Sequence, residues 1–194
     1  MTIWFTSDQH FGHKRICQYA MRPFPSVEEM GQILTENWNR HVKKGDTVYS
    51  LGDFAFVRPD AVPALVKNLN GQIHLVRGNH DRFLQDRKKD FKFAWVGDYK
   101  ELALGITRIV LAHYPFLTWN KRHHGSWMLH GHSHNSLPID MGTKRMDIGV
   151  DAVAALLREG PAGYRPISFE ELKPHMDSRG INIVDHHELR KSED

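Results

Sequence analysis

The chain has 194 residues, a net charge of +3 from 26 Lys and Arg against 23 Asp and Glu, 40% hydrophobic residues and one cysteine. That length buries one sizeable core, and the lone Cys17 excludes an internal disulfide and suits a reducing compartment. No apolar run approaches the roughly 20 residues of a membrane helix, the opening MTIWFTSDQH lacks the basic and long apolar regions of a signal peptide, so none is expected, and the cations are scattered among acidic residues, so membrane insertion, secretion and a basic nucleic-acid face are not indicated and a cytoplasmic location is expected.

The predicted elements begin with Ile3-Trp4-Phe5-Thr6, a short apolar run that reads as a strand ending at Ser7-Asp8. His13, Lys14 and Arg15 open a short helix. Apolar positions at Val27, Met30, Ile33, Leu34, Trp38 and Val42 predict an amphipathic helix, with Ser26 as N-cap and Glu29 completing a capping box. Thr47–Leu51 is a second strand, Asp60 caps a helix through Leu69 with Pro63 in its first turn, and Gln72–Arg77 is a third strand. Glu101–Leu104 and Thr107–Ala112 flank Gly105 as a hairpin. Trp127–Leu129 and Met146–Val150 are further strands, and Pro166–Ser168 leads into a helix from Phe169 to about His175. The expected organisation is one domain over residues 1–178 and a polar tail over 179–194 that includes His186 and His187. Helices alternating with strands, then strands dominating, predict two packed sheets with helices outside.

Polar residues collect where these strands stop. Asp8 and His10 stand two apart, so on extended backbone both side chains project to one side and reach one ion. Asp53 follows Gly52, and a carboxylate with two oxygens can bridge two ions where a histidine cannot. In Gly78-Asn79-His80-Asp81, Asn79 offers a neutral oxygen to a hard metal. Asp81 stands beside an imidazole it could orient. His132 and His134 repeat the two-apart spacing after Gly131, and His113 follows the strand Thr107–Ala112. An H-x-H-x-D-H zinc-hydrolase block is excluded, because Asn135-Ser136 follows His134.

The blocks Asp8-Gln9-His10, Gly52-Asp53, Gly78-Asn79-His80-Asp81, His113 and Gly131-His132-Ser133-His134 stand in the order of the calcineurin-like metallophosphoesterases. The chain resembles their small single-domain bacterial and phage members, as do Trp4–Asp8 and Phe11-Gly12-His13. The resemblance implies an α/β fold, a four-layer α/β/β/α sandwich with a dinuclear centre at strand C-terminal ends. It implies one ion on Asp8, His10, Asp53 and His134 and another on Asp53, Asn79, His113 and His132, with Asp53 bridging. His80 would serve the substrate phosphate and Asp81 would orient His80. The ions would be Mn most readily, with Fe, Zn or Ni as alternatives.

The implied activity is hydrolysis of a phosphodiester, a nucleotide or cyclic nucleotide among the candidates, by a water activated between two metals. A phosphomonoesterase or protein phosphatase on the same site, and a metal-bearing scaffold without turnover, are the alternatives. The partner expected is a small-molecule phosphoester. Substrate-recognition candidates are His13, Arg22, Lys121 and His123. The last two lie in the basic loop 118–126, where Trp119 could stack a base. Arg58 and Arg77 are weaker candidates.

Overall fold

The computed structural model describes residues 1–85 and 90–182. Two sheets stack on one another. The first has strand order β4-β3-β2-β1-β9, from β1 (Ile3–Thr6), β2 (Thr47–Ser50), β3 (Gln72–Val76), β4 (Trp95–Gly97) and β9 (Ile167–Ser168). β1 to β4 run parallel, and β9 joins β1 antiparallel. The second has order β5-β6-β7-β8, from β5 (Tyr99–Leu104), β6 (Thr107–Ala112), β7 (Trp127–His130) and β8 (Arg145–Asp147). β5 and β6 form the expected hairpin around Gly105, and β6, β7 and β8 run parallel.

The helices are α1 (Ile16–Tyr19), α2 (Val27–His41), α3 (Val62–Asn68), α4 (Val150–Leu157) and α5 (Phe169–Asp177). α2 starts where the sequence says it should, with Ser26 Oγ accepting from Glu29 N at 3.1 Å, but the reciprocal bond of the expected capping box is found at Ser168 and Glu171 of α5 and not at Glu29. Its buried stripe of Met30, Leu34 and Trp38 packs with Val48, Ile73 and Leu75 of the first sheet. Each such side chain contributes about 1.5–3 kcal/mol by leaving water. Between the sheets lie Phe5, Tyr49, Leu51, Val76, Ile109, Leu111, Leu129 and Ile167, closed by Leu172 and Met176 of α5. The outer face of the second sheet, Val110, Ala112 and Met128, is covered by Phe116 and Trp119 from the β6–β7 connection.

Three further local expectations need correction, and one strand carried no sequence signal. Asp60 does not cap α3: the helix starts from Ala61 without a side-chain cap, and Asp60 faces Arg58 at 3.4 Å. Val150 does not end a strand but starts α4, whose sequence VDAVAALL is almost wholly buried in its first half and so carries little helical periodicity. β4 is a three-residue edge strand too short to register as a pattern. Residues 179–182 are not loose, since Arg179 donates to the carbonyls of Asp140 and Arg145, and Gly180 N and Asn182 N bond to Met141 O and Gly142 O. His186 and His187 lie outside the described residues.

The parallel strands determine where chemistry can occur. β1, β2, β3, β6 and β7 all send their C-terminal ends to one rim, so Asp8, Asp53, Asn79, His113, His132 and His134 arrive together. Backbone hydrogen bonds stitch these loops to one another: Asp8 N to Gly52 O, His10 N to Asp53 O, Gly131 N to His113 O and Val150 N to Ser7 O.

Candidate metal centre

Two groups of donors face each other at this rim. One is Asp8, His10 and His134, the other Asp53, His113 and His132, with donor atoms within 4.8 Å of one another in each group. Asp53 joins them. Its Oδ2 lies 3.5 Å from His10 Nε2 and its Oδ1 lies 3.6 Å from His113 Nε2. His10 Nε2 and His134 Nε2 stand 4.0 and 3.9 Å from Asp8 Oδ1. Asn79 Oδ1 completes the second group, 3.0 Å from His113 Nε2 and 3.1 Å from His132 Nδ1. Ligands about 2.0–2.2 Å from a common ion stand roughly 3–4 Å apart, which is the spacing found.

The protonation pattern suits a cation. His113 Nδ1 is 2.7 Å from Leu51 O, so it donates there and Nε2 presents a lone pair to the Asn79 oxygen. Two acceptors face each other at that point. His10 Nε2 is buried with no hydrogen-bond partner. Burial drives the His10 imidazole strongly toward its neutral, ligand-competent form, and it lowers His113 in the same way. Burial also pushes the Asp8 carboxyl well above its usual range; His134 opposes this, while Asp147 and Asp53 add repulsion. A buried cluster of acceptors and carboxylates is costly alone and is relieved by bound positive charge.

The backbone carries strain at the same place. Of the seven candidate ligands, five have left-handed backbones: Asp8 (φ 57°), His10 (53°), Asp53 (51°), His132 (67°) and His134 (45°). Each costs on the order of 1 kcal/mol or more in a residue with a Cβ, and such strain gathers at functional sites. Two glycines make the close packing feasible. A Cβ on Gly78 would collide with the Asp53 carboxylate, and one on Gly131 with Ser7 and the Asp8 carboxylate.

His80 lies beside His10 at this centre. Its ring lies 5.5 Å from that of His10, its backbone N–H donates to Asp53 Oδ1 at 2.8 Å, and its Nδ1 is buried without a partner. Asp81 does something other than expected. Its carboxylate accepts the N–H groups of Asp53 (3.0 Å), Phe54 (2.8 Å) and Gly78 (2.8 Å), clamping the β2 and β3 loops together. Those bonds engage both oxygens, and none goes to the His80 ring. Burial raises the Asp81 carboxyl to about 7, with the Gly78 and Phe54 N–H groups opposing.

Three of the four recognition candidates also change role. Arg22 is 4% exposed and does not face a substrate. It forms a two-pronged ion pair with Asp151, Nε and Nη2 each 2.8 Å from a carboxylate oxygen, and donates to Asp8 O and Gln9 O. Asp151 in turn accepts from His134 Nδ1 at 2.7 Å, which turns His134 Nε2 toward Asp8. Burial opposes a charged His134, yet the Asp151 hydrogen bond and the charges of Asp8 and Asp151 outweigh it and raise its pKa. Lys121 lines grooves beside Ile106, Thr107 and Arg108, at the start of β6. The centre lies beyond the other end of that strand, roughly 20 Å away for six residues. His123 belongs to the half-buried turn just before β7, its ring 4.1 Å from His124. Trp119 packs on the outer sheet face and donates to Ser126 O, so the 118–126 loop is structural cover and not a rim of the centre. His13 does reach the centre: its Nδ1 is 3.2 Å from His10 Nδ1, and its ring stacks on Phe56 at 4.6 Å.

Sequence reasoning missed Asp151, Gln9 and Asp147. Gln9 is buried between Thr6 Oγ1 (2.7 Å) and Ser50 Oγ (3.1 Å), and ties β1 to β2 directly beneath the ligands. Asp147 accepts from Gly149 N and Asn135 N, fixing the turn after His134. One signal was available, because Asp151 is the one charged residue in the otherwise apolar VDAVAALL. A carboxylate placed there needs a partner.

Comparison with known proteins shows the family and the fold. The calcineurin-like phosphoesterase superfamily domain matches residues 1–148. The chain is 34% identical over 175 residues to the uncharacterized protein MJ1445 of Methanocaldococcus jannaschii, covering 87% of each. It is 30% identical over 179 residues to the Gene 66 protein of Mycobacterium phage D29, covering 77% of this chain and 88% of that one. Among solved structures, the protein AQ665 of unknown function from Aquifex aeolicus shares the fold with a TM-score of 0.66 at 24% identity, covering 90% of this chain and 98% of that one. With its two stacked sheets and its donor groups at the strand ends, this chain belongs to the calcineurin-like phosphoesterase superfamily and is a metal-dependent hydrolase of phosphoester bonds.

Proposed function

We propose that the protein hydrolyses a phosphodiester with two divalent ions bound at this centre. The observation that carries the reading is the position of Asp53, one oxygen toward His10 and the other toward His113. Asp8, His10, Asp53 and His134 would hold one ion, and Asp53, Asn79, His113 and His132 the other. The mixture of carboxylate, amide and imidazole donors suits Mn or Fe better than Mg, with Zn and Ni as alternatives. Bound there, the ions supply a water nucleophile at neutral pH and a positive clamp on the phosphoryl oxygens.

The chain's own residues do the rest. His80, next to His10 but not among the donors, presents an imidazole to the phosphoryl or leaving oxygen. The Arg22–Asp151 pair holds His134 in register, and Asp81 keeps the Asp53 and Gly78 loops at a constant separation. A diester fits better than a monoester dianion. Two cations named from sequence as substrate-recognition candidates, Arg22 and Lys121, are a member of a buried ion pair and a residue at the far end of β6, and so lend no positive charge to a dianion at the centre. The substrate is taken to be a small molecule in the cytoplasm, and residues 1–178 the catalytic unit.

The test combines metal analysis with turnover. Reconstituted protein should carry close to two ions, lose activity to a chelator, regain it with Mn²⁺, and turn over an aryl phosphodiester faster than the aryl monoester. Asp53→Asn should lose both ions and His10→Ala mainly one. One tightly held ion at most in the wild type, or full metal content and rate in Asp53→Asn, overturns the bridged centre; faster monoester turnover overturns the diester preference.

A further inference from the structure

We propose that Phe56, stacked on His13, is a platform for a planar group carried by the substrate, so that the substrate class is a phosphodiester with a nucleobase-like ring close to the scissile phosphorus. This rests on the reading of the centre as a phosphodiesterase. Three residues past Asp53, the chain turns out of the core: Phe54 and Ala55 are buried, and Phe56 is 44% exposed. Its backbone N–H is anchored to Phe11 O at 2.7 Å. Its ring lies 4.6 Å from His13 at 19°, a stacked arrangement, and 5.5 Å from His80.

His13 links this ring to the centre through the 3.2 Å contact between its Nδ1 and that of His10. The aromatic surface is therefore held beside the candidate proton donor His80 and one side chain away from the candidate ligand His10, and little rotamer freedom is left to lose on binding. A substrate ring seated there would be within a few bonds of a phosphoryl group lying under His80. The opposite flank is also aromatic. Tyr114 is 48% exposed, meets His132 edge-on at 4.6 Å, and its hydroxyl donates to Asn79 Oδ1 at 3.3 Å. That bond fixes Tyr114 as a wall and leaves Phe56, which has no polar handle, as the face on which a ring can stack.

Base stacking on an aromatic side chain is worth roughly 5- to 150-fold in affinity. The experiment uses the Mn²⁺-loaded full chain and the variants Phe56→Leu and Phe56→Trp, with thermal midpoint and metal content checked for each. Calorimetry compares adenosine 5′-monophosphate with methyl phosphate. Kinetics compare the p-nitrophenyl ester of thymidine 5′-monophosphate with methyl p-nitrophenyl phosphate, which share a leaving group. We expect the wild type to bind the nucleotide at least 5-fold more tightly than methyl phosphate and to prefer the nucleoside ester. Phe56→Leu should collapse both ratios, chiefly through KM, and Phe56→Trp should restore them.

A wild type with no preference for the nucleotide, or ratios that Phe56→Leu leaves in place, overturns the platform. If neither ester is hydrolysed but nucleotide binding still depends on Phe56, the phosphodiesterase reading fails and the platform stands.

Discussion

Removing Asp151 tests whether the buried ion pair behind His134 supports the centre. Asp151 is within 2.8 Å of Arg22 through both carboxylate oxygens and 2.7 Å from His134 Nδ1, and the pair is almost wholly out of water. In Asp151→Ala the Arg22 guanidinium would remain buried with no carboxylate partner, left to the carbonyls of Asp8 and Gln9 and a weak contact to Met30 Sδ at 3.4 Å. Breaking one side of a buried pair costs about 3–5 kcal/mol. The two surviving carbonyl bonds place this case near the lower figure, about 3 kcal/mol. A domain of this size shifts by roughly 2–4 °C per kcal/mol, so the midpoint should fall by about 6–12 °C. His134 also loses the partner that orients it, which should weaken the ion on the Asp8 side about 10- to 100-fold. Thermal denaturation of metal-free protein and Mn²⁺ titration calorimetry separate the two effects. The double variant Arg22→Met with Asp151→Leu leaves no unpaired charge. It should recover part of the lost stability and none of the lost metal affinity. A single variant within about 1 °C of the wild type, with metal affinity intact, would refute this account of the network.

Two further predictions follow from other parts of the structure. His80→Ala should keep its metal content and thermal midpoint while kcat falls about 10²–10⁴-fold, the usual contribution of a proton donor or charge-stabilising group. Near-normal turnover by the metal-replete variant would remove His80 from the chemistry. Glu171 makes α5 acid-sensitive. Partial burial would raise its carboxyl, but the Arg165 hydrogen bond and the Ser168 N–H and hydroxyl outweigh this and hold it at about 2, against an ordinary 4.5. Its contribution is therefore complete above pH 4.5 and is lost as pH falls toward 2. Glu171→Gln should cost about 1 kcal/mol at neutral pH, the scale of a capping interaction on a partly exposed side chain, and the gap to wild type should close through that window. A gap that is constant from pH 6 to 2.5 would contradict the assignment.

Much of this protein was legible along the chain, because the information was local. The period of Met30, Leu34 and Trp38 sets a helix face, Ser26 sets its start, and Gly105 sets the hairpin. The seven candidate ligands were legible for a related reason. Each follows a parallel strand, and parallel strands deliver their ends to the same rim, so order and residue type foretell assembly. Where local pattern was weak the reading failed, as in α4, whose first five residues are all buried, and in the three-residue β4.

Tertiary structure alone decided what each charged or aromatic side chain faces. Arg22 and Asp151 are 129 residues apart and meet only because α4 packs behind the loop that carries Asp8. Asp81 adjoins His80 in sequence, yet its oxygens go to backbone N–H groups of another loop. Lys121 lies between ligand motifs in the chain but at the opposite end of the strands, since a parallel connection must return to the sheet's start before the next strand begins. Phe56, unremarked in the sequence, reaches the centre because His13 folds back beneath it. Residue type and strand order are properties of the chain, whereas the direction of a side chain across a loop depends on what packs against it from far away in sequence.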